Sequence, residues 1–251
     1  MGKGSLVYTV LTRYTLKKCM SILVLVRHGE SRWNECNRFQ GWVDVPLSEN
    51  GVREAEHCAK HCKEFDFSAA YTSALVRAQE TLLLILAQQG RTGIFQHDHD
   101  PRYSKWVKTS NHCGDGDIPI FETQTMNERY YGDLQGMEKI EAEKKYGKSK
   151  LLVWRRGYEE RPPNGESLKE VFERVHPYFM KHVQPRLKRG ETVLLSGHGN
   201  TLRSIIMHLE HITEEDIAFV DLPGARPLVY EFTRGKYKRI AGEYQFDRPL
   251  R

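Results

Sequence analysis

Apolar residues along the chain fall into short unbroken runs and longer periodic stretches. Ile22-Leu23-Val24-Leu25-Val26 is an unbroken β-branched and aliphatic run, the pattern of a strand buried on both faces. Val193-Leu194-Leu195-Ser196 repeats it, Phe67 to Thr72 predicts a short second strand, and Leu228 to Phe232 a last one. Between them the period changes to helical. Ala55, Cys58, Cys62 and Phe65 form the apolar stripe of a helix running from about Leu47 to Glu64 and opened by Ser48, a capping residue. Ser73 is placed to cap a helix over Ala74 to Gln89, and Thr201 to Leu209 reads as another. Leu168, Val171, Phe172, Val175, Phe179 and Val183 keep helical spacing, with Pro177 predicting a kink or split among them. Thr213 and Asp216 form a capping box ahead of Phe219. Strands interleaved with helices predict a three-layer α/β/α sandwich, its sheet mostly parallel, with helices on both faces. The tail after Gly235 is expected to pair or fray near the active site. Gly90 to Thr125 departs from both periods. Its Gly, Asp, His, Asn and Pro content predicts an extended surface insertion, tacked down by Tyr103, Trp106 and Val107.

Length and charge narrow this picture. At 251 residues and 39% hydrophobic content, the chain buries one sizeable core, giving a single domain over 20–251. Residues 1–19 read as a leading extension without fixed structure. Net charge is +5, but Lys3, Arg13, Lys17 and Lys18 precede Met20 and the remainder carries +1, which argues against nucleic acid as a partner. No apolar run approaches the roughly 20 residues of a membrane span. Five scattered cysteines fit a reducing cytoplasm better than a disulfide framework. His57-Cys58-x-x-His61-Cys62 has metal-ligand spacing, yet its cysteines belong to the apolar stripe, so that segment reads as core helix. His97-Asp98-His99-Asp100 and His112-Cys113 carry ligand types at loop spacing too irregular to define a site.

The chemistry collects where strands end. The first strand runs into Arg27-His28-Gly29-Glu30-Ser31 and the later one into Gly197-His198-Gly199-Asn200. Ligands of open α/β sheets gather at the carboxyl ends of strands, so two histidines beside glycines there can meet over one anion. One neutral imidazole can attack phosphorus while the other, protonated, holds its oxygens, which points to phosphoryl transfer through a phosphohistidine. Arg27 offers a planar fork for phosphate. Arg77, in a helix's first turn, opposes the dipole preference for acids and suggests anion binding. Arg155-Arg156 reads either as a solvated pair or, carried on Trp154 ahead of the loop at 162–165, as cations over a cleft. Trp42 reads as a loop anchor or a substrate contact.

Seven stretches in order (23–47, 71–81, 126–139, 154–157, 162–168, 197–203 and 227–232) resemble the histidine phosphatase superfamily and, within it, the cofactor-dependent phosphoglycerate mutases. The resemblance implies interconversion of 3-phosphoglycerate and 2-phosphoglycerate, with 2,3-bisphosphoglycerate priming His28 and no metal. It implies catalytic roles for His28, Arg27, Arg77, Glu128 as proton-transfer group, and His198. Asn34, Gln40, Gly41, Arg129, Tyr131, Lys139, Arg155, Arg156, Gly199 and Asn200 fall to the substrate, and a homodimer is compatible with it. Gln40 departs from the small residue usual in mutases and matches the phosphatase branch, whereas Gly41 matches ordinary mutases. The segment between Arg156 and Glu166 is short for the family. Two rivals remain: a phosphatase of the same fold, and an interaction module without catalysis that uses the Gly90–Thr125 insertion.

Overall fold

The computed structural model describes residues 20–96 and 117–246. The leading extension, the histidine-rich runs of the insertion, and Tyr103, Trp106 and Val107 lie outside the described residues. Seven strands form the main sheet: β1 (Ser21–Arg27), β2 (Ala69–Thr72), β3 (Gly93–Gln96), β4 (Ile118–Glu122), β5 (Val193–Gly197), β7 (Pro227–Thr233) and β8 (Lys236–Ala241). A short β6 (Val220–Asp221) pairs antiparallel with β9 (Gln245–Phe246). The sheet order is β3-β4-β2-β5-β1-β7-β8, parallel as far as β1 and antiparallel over the last two strands.

Eight α-helices are described: α1 (Arg32–Glu35), α2 (Glu49–Cys62), α3 (Val76–Gln88), α4 (Lys139–Tyr146), α5 (Lys148–Arg156), α6 (Leu168–Tyr178), α7 (Gln184–Lys188) and α8 (Gly199–Glu210). Because successive side chains of a strand point to opposite faces, β1 serves two cores. Leu23 and Leu25 pack with α6 and α8 residues such as Val171 and Ile205. Ile22, Val24 and Val26 pack with Cys58 and Cys62 of α2 and Leu82 and Ile85 of α3. The two cysteines are thus core residues, as the apolar stripe predicts.

Three expectations change. The Gly90–Thr125 region is not loop throughout, since β3 and β4 lie within it, near its two ends, and extend the sheet in parallel register. Pro119 within β4 is the kind of residue that hides a strand from pattern reading. Ser73 is not a helix cap: α3 starts after Leu75, and the Ser73 hydroxyl is engaged elsewhere. The Thr213 hydroxyl accepts from the Asp216 amide as a capping box requires, but it opens only a single 3₁₀ turn, Asp216–Phe219. At Pro177 the expected split is present. The proline ring can offer no amide to the preceding turn, and five residues of π-helix, Phe179–Val183, separate α6 from α7. Among the described residues no helix is long and apolar enough to cross a membrane.

Candidate active site

The parallel pairing of β1 with β5 sets Arg27 opposite Gly197, and the His28 amide donates to the Gly197 carbonyl at 2.9 Å. The next residue of each strand is therefore a histidine beside its neighbour. The His28 and His198 rings lie 5.1 Å apart between centroids and tilt by 57°, both almost wholly buried. His28 Nδ1 sits 2.7 Å from the Gly29 carbonyl, which can only accept, so Nδ1 carries the proton and Nε2 keeps the lone pair. Gly29 allows the approach of α2 that fixes this loop: a Cβ there would meet the Gly51 carbonyl oxygen at 2.5 Å. His198 Nε2 pairs with Ser73 Oγ at 2.7 Å, while its Nδ1 is buried without a hydrogen-bond partner among the described residues.

Burial holds both imidazoles well below the ordinary histidine value, and the guanidinium charges of Arg77 and Arg27 push the same way. His198 also feels His28 and Arg174, and only the Gly29 carbonyl raises His28. Near pH 7 both rings are therefore uncharged, including the one expected from sequence to be protonated.

Arg27 Nη1 donates to the Leu222 carbonyl at 2.6 Å. Arg77 spends its two terminal nitrogens on the carbonyls of Val43 (3.0 Å) and Gly41 (2.8 Å). Both keep a buried Nε with no protein partner among the described residues. Burial lowers Arg77 to about 10 despite the nearby carboxylates of Glu128 and Asp44, which leaves it charged at neutral pH. Glu128 faces this group. One carboxylate oxygen accepts from the Arg129 amide (2.7 Å) and from Asn200 Nδ2 (2.9 Å). The other lies near the position a Cβ of Gly199 would take, as does the Arg27 guanidinium.

A second cationic region adjoins the first. Arg129, fully buried, donates to the Arg155 carbonyl at 3.0 Å and lies 4.7 Å from the centre of the Tyr131 ring, with Nε and Nη1 unpartnered among the described residues. Burial alone would raise the Tyr131 phenol. The Arg129 charge and hydrogen bonds from Arg129 and Asn200 outweigh it and bring the phenol below its usual value. Lys139 is lowered by burial and then by the Arg155 and Arg27 charges. These groups stand on a third, smaller core of Phe39, Leu134, Ala142, Leu151 and Trp154.

Among the predicted substrate residues, Asn34 and Arg156 are engaged otherwise. Asn34 Oδ1 accepts from the Ser31 amide and hydroxyl, capping α1. Arg156 reaches the Asp221 carboxylate at 3.2 Å and the Val220 carbonyl. Gln40 is buried with its Oε1 unpartnered among the described residues, beside Gly41. Gly41 has φ +54°, and a Cβ on it would collide with the Gln135 side chain, so backbone conformation and packing fix this glycine. Trp42 resolves as an anchor, its Nε1 donating to the Glu128 carbonyl at 2.6 Å.

Pattern reading misses four supporting residues. Arg174 of α6 donates to the carbonyls of Thr125 (2.6 Å), Asn127 (3.0 Å) and Glu128 (3.0 Å) and pairs with Glu166 at 2.9 Å. Arg203 ties Asn200 Oδ1 to the Arg156 and Ile217 carbonyls, and burial with Arg129 and Arg156 nearby lowers it to about 9. Gln135 accepts from the Trp42 amide, and Ser73 holds His198. Their only sequence signal is residue type, since the partners are scattered along the chain.

The sequence profile described as histidine phosphatase superfamily (branch 1) matches residues 23–102 and 105–240. A protein of Methanococcus vannielii named 2,3-bisphosphoglycerate-dependent phosphoglycerate mutase is 42% identical over 222 residues, covering 88% of this chain and 94% of its own. One of Cytophaga hutchinsonii with the same name is 45% identical, covering 85% and 89%. Among solved structures, a mycobacterial glucosyl-3-phosphoglycerate phosphatase superposes with a TM-score of 0.69 at 19% identity, covering 91% of this chain and 100% of that one. Bacillus stearothermophilus YhfR gives 0.66 at 24%, covering 87% and 95%. At those identities the structural likeness speaks for the fold.

Proposed function

This chain belongs to the histidine phosphatase superfamily, and on that footing we infer that it is a phosphoglycerate mutase, interconverting 3-phosphoglycerate and 2-phosphoglycerate in glycolysis and gluconeogenesis. The observation that carries the reading is the facing of His28 and His198 across 5.1 Å, with Arg129 and Lys139 forming a second anion-binding end around Tyr131. A phosphatase needs only the first end.

The relatives' names specify 2,3-bisphosphoglycerate. This chain's residues fit a molecule anionic at both ends. Buried nitrogens without protein partners among the described residues occur on Arg27, Arg77 and His198 in one region and on Arg129 in the other. That cofactor supplies, when bound, the phosphoryl group that charges His28. Arg27, Arg77 and His198 hold the phosphoryl oxygens and neutralise their charge. His28 Nε2 forms the bond to phosphorus, its orientation fixed through Nδ1. When the free hydroxyl of the monophosphoglycerate takes the phosphoryl group from His28, the N–P bond breaks, an O–P bond forms, and Glu128 accepts the hydroxyl proton. The return transfer, from the other oxygen, restores the charged histidine and the proton. Tyr131, Lys139, Arg129 and Arg155 orient the far end. Three unpaired cysteines among the described residues, Cys36, Cys58 and Cys62, support a reducing, cytoplasmic setting.

The test is to incubate the protein with labelled 2,3-bisphosphoglycerate, trap the modified residue, and follow 3-phosphoglycerate. Acid-labile label on His28 with isomer formation in excess chelator is expected. His28→Ala should lose the label and at least about 10⁴-fold in turnover. Rapid phosphate release without isomer would favour the phosphatase reading, to which the buried amide of Gln40 lends its one observation.

A further inference from the structure

On the exposed side of α2, away from the catalytic histidines, His57 and His61 stand one helical turn apart. Their Nε2 atoms are 3.2 Å from each other and their rings 4.9 Å apart between centroids. A single N–H···N bond would account for that spacing. A shared cation would account for it equally. Two imidazole nitrogens each about 2.0–2.1 Å from one Zn²⁺ at a near-tetrahedral angle lie about 3.3 Å apart. The i, i+4 interval places both rings over the same turn, so the helix itself sets the bite.

The surroundings say what kind of site this can be. Cys58 and Cys62, the softer ligands in the same segment, are fully buried in the core and face away from it. Among the described residues no cluster of three His, Cys, Asp or Glu groups is close enough to complete a protein-only shell. The two rings edge a concavity of about 460 Å³, lined also by Phe65, Pro227, Arg226 and Glu243. An ion held there keeps open positions beside a cavity wall that carries one cation, Arg226, and one carboxylate, Glu243.

We propose that His57 and His61 form a two-nitrogen surface site for a late first-row divalent ion, Cu²⁺ or Zn²⁺, whose remaining positions are taken by water or a small anion. Imidazole ligands select such ions over Mg²⁺ or Ca²⁺, which require oxygen. Neither ring has a role in the catalytic chemistry, so the site stands whether or not the mutase reading does. Bound there, the ion cross-links successive turns of the helix that packs against the His28 loop through Gly51 and Glu54.

The full chain, stripped with chelator, is titrated with CuCl₂ and ZnCl₂ by calorimetry, and the Cu²⁺ form is examined by electron paramagnetic resonance. Wild type should show a micromolar Cu²⁺ site with coupling to two imidazole nitrogens, and a rise in melting temperature on adding the ion. His57→Ala and His61→Ala should each weaken that site at least tenfold. The double variant should lose less than the two single losses summed, because one ion is shared. His61→Gln, which keeps a hydrogen-bonding side chain on the exposed turn, should melt like wild type without metal yet lose the metal-induced rise. Mg²⁺ should produce none of these changes. If the two alanine variants bind the same number of ions with unchanged affinity and spectrum, the pair is only a hydrogen bond and the proposal fails.

Discussion

The two ends of the cleft are built on different foundations. The phosphate end stands on β1 and β5, strands buried on both faces in the middle of the sheet, and its histidines are almost wholly shielded from water. The far end stands on α4 and α5 over a small core, where Ile140 and Leu152 are more than half exposed. Bond making calls for fixed geometry and exclusion of water, which central strands supply. Recognition of a substrate's remote group, the role proposed for the far end, tolerates a thinner support and relies on its cations. Changes at one end should therefore act on turnover, and changes at the other on substrate affinity.

The largest effect bearing on this division is expected from Glu128→Gln, which keeps the hydrogen-bonding shape but removes the proton acceptor. Steady-state kinetics should show kcat lower by about 10²–10⁴-fold with KM little changed. Arg174→Gln comes next. By releasing three carbonyls that fix the Glu128 loop, it should lower kcat by about 10–100-fold and shift KM little. Such a variant loses charge-assisted hydrogen bonds worth about 2 kcal/mol, readable in denaturant unfolding. Arg155→Ala should do the reverse, raising KM about tenfold while kcat stays within about a factor of two. A fall in kcat alone for that variant would erase the distinction between the ends.

The smallest effect is on stability against pH. His28 and His198 have folded-state values below the roughly 6.5 of an unfolded histidine. Below that pH the unfolded chain takes up protons that the folded protein refuses. The stability from these rings is therefore complete above about pH 6.5 and is lost as pH falls toward their folded values. Melting curves at about pH 7.5 and 5.5 should show the drop, and saturating inorganic phosphate should shrink it. A drop untouched by phosphate would place its origin outside this end of the cleft.

Legibility from sequence divides along the same line. Central strands announce themselves by unbroken apolar runs, and the histidines come directly after them, so the phosphate end could be read from residues alone. The two strands at the β3 edge could not. β3 and β4 are short, one opens on Gly93 and the other contains Pro119, and both residues suppress a strand signal. Ser73 looked like a cap because the residue type and position suit one, while its partner lies 125 residues away. Arg174 carries no mark of its role, since three backbone carbonyls leave no trace in composition. Arg156, by contrast, had two readings from sequence, and its bridge to Asp221 was visible to neither.

The alternation of β1 between two cores carries a consequence for motion. A segment whose even and odd residues belong to opposite layers cannot fray on one side while resting on the other. Both layers must part before it moves. The His28 ring is joined directly to that segment and clamped through its amide to the Gly197 carbonyl, so it shifts only when both layers give way.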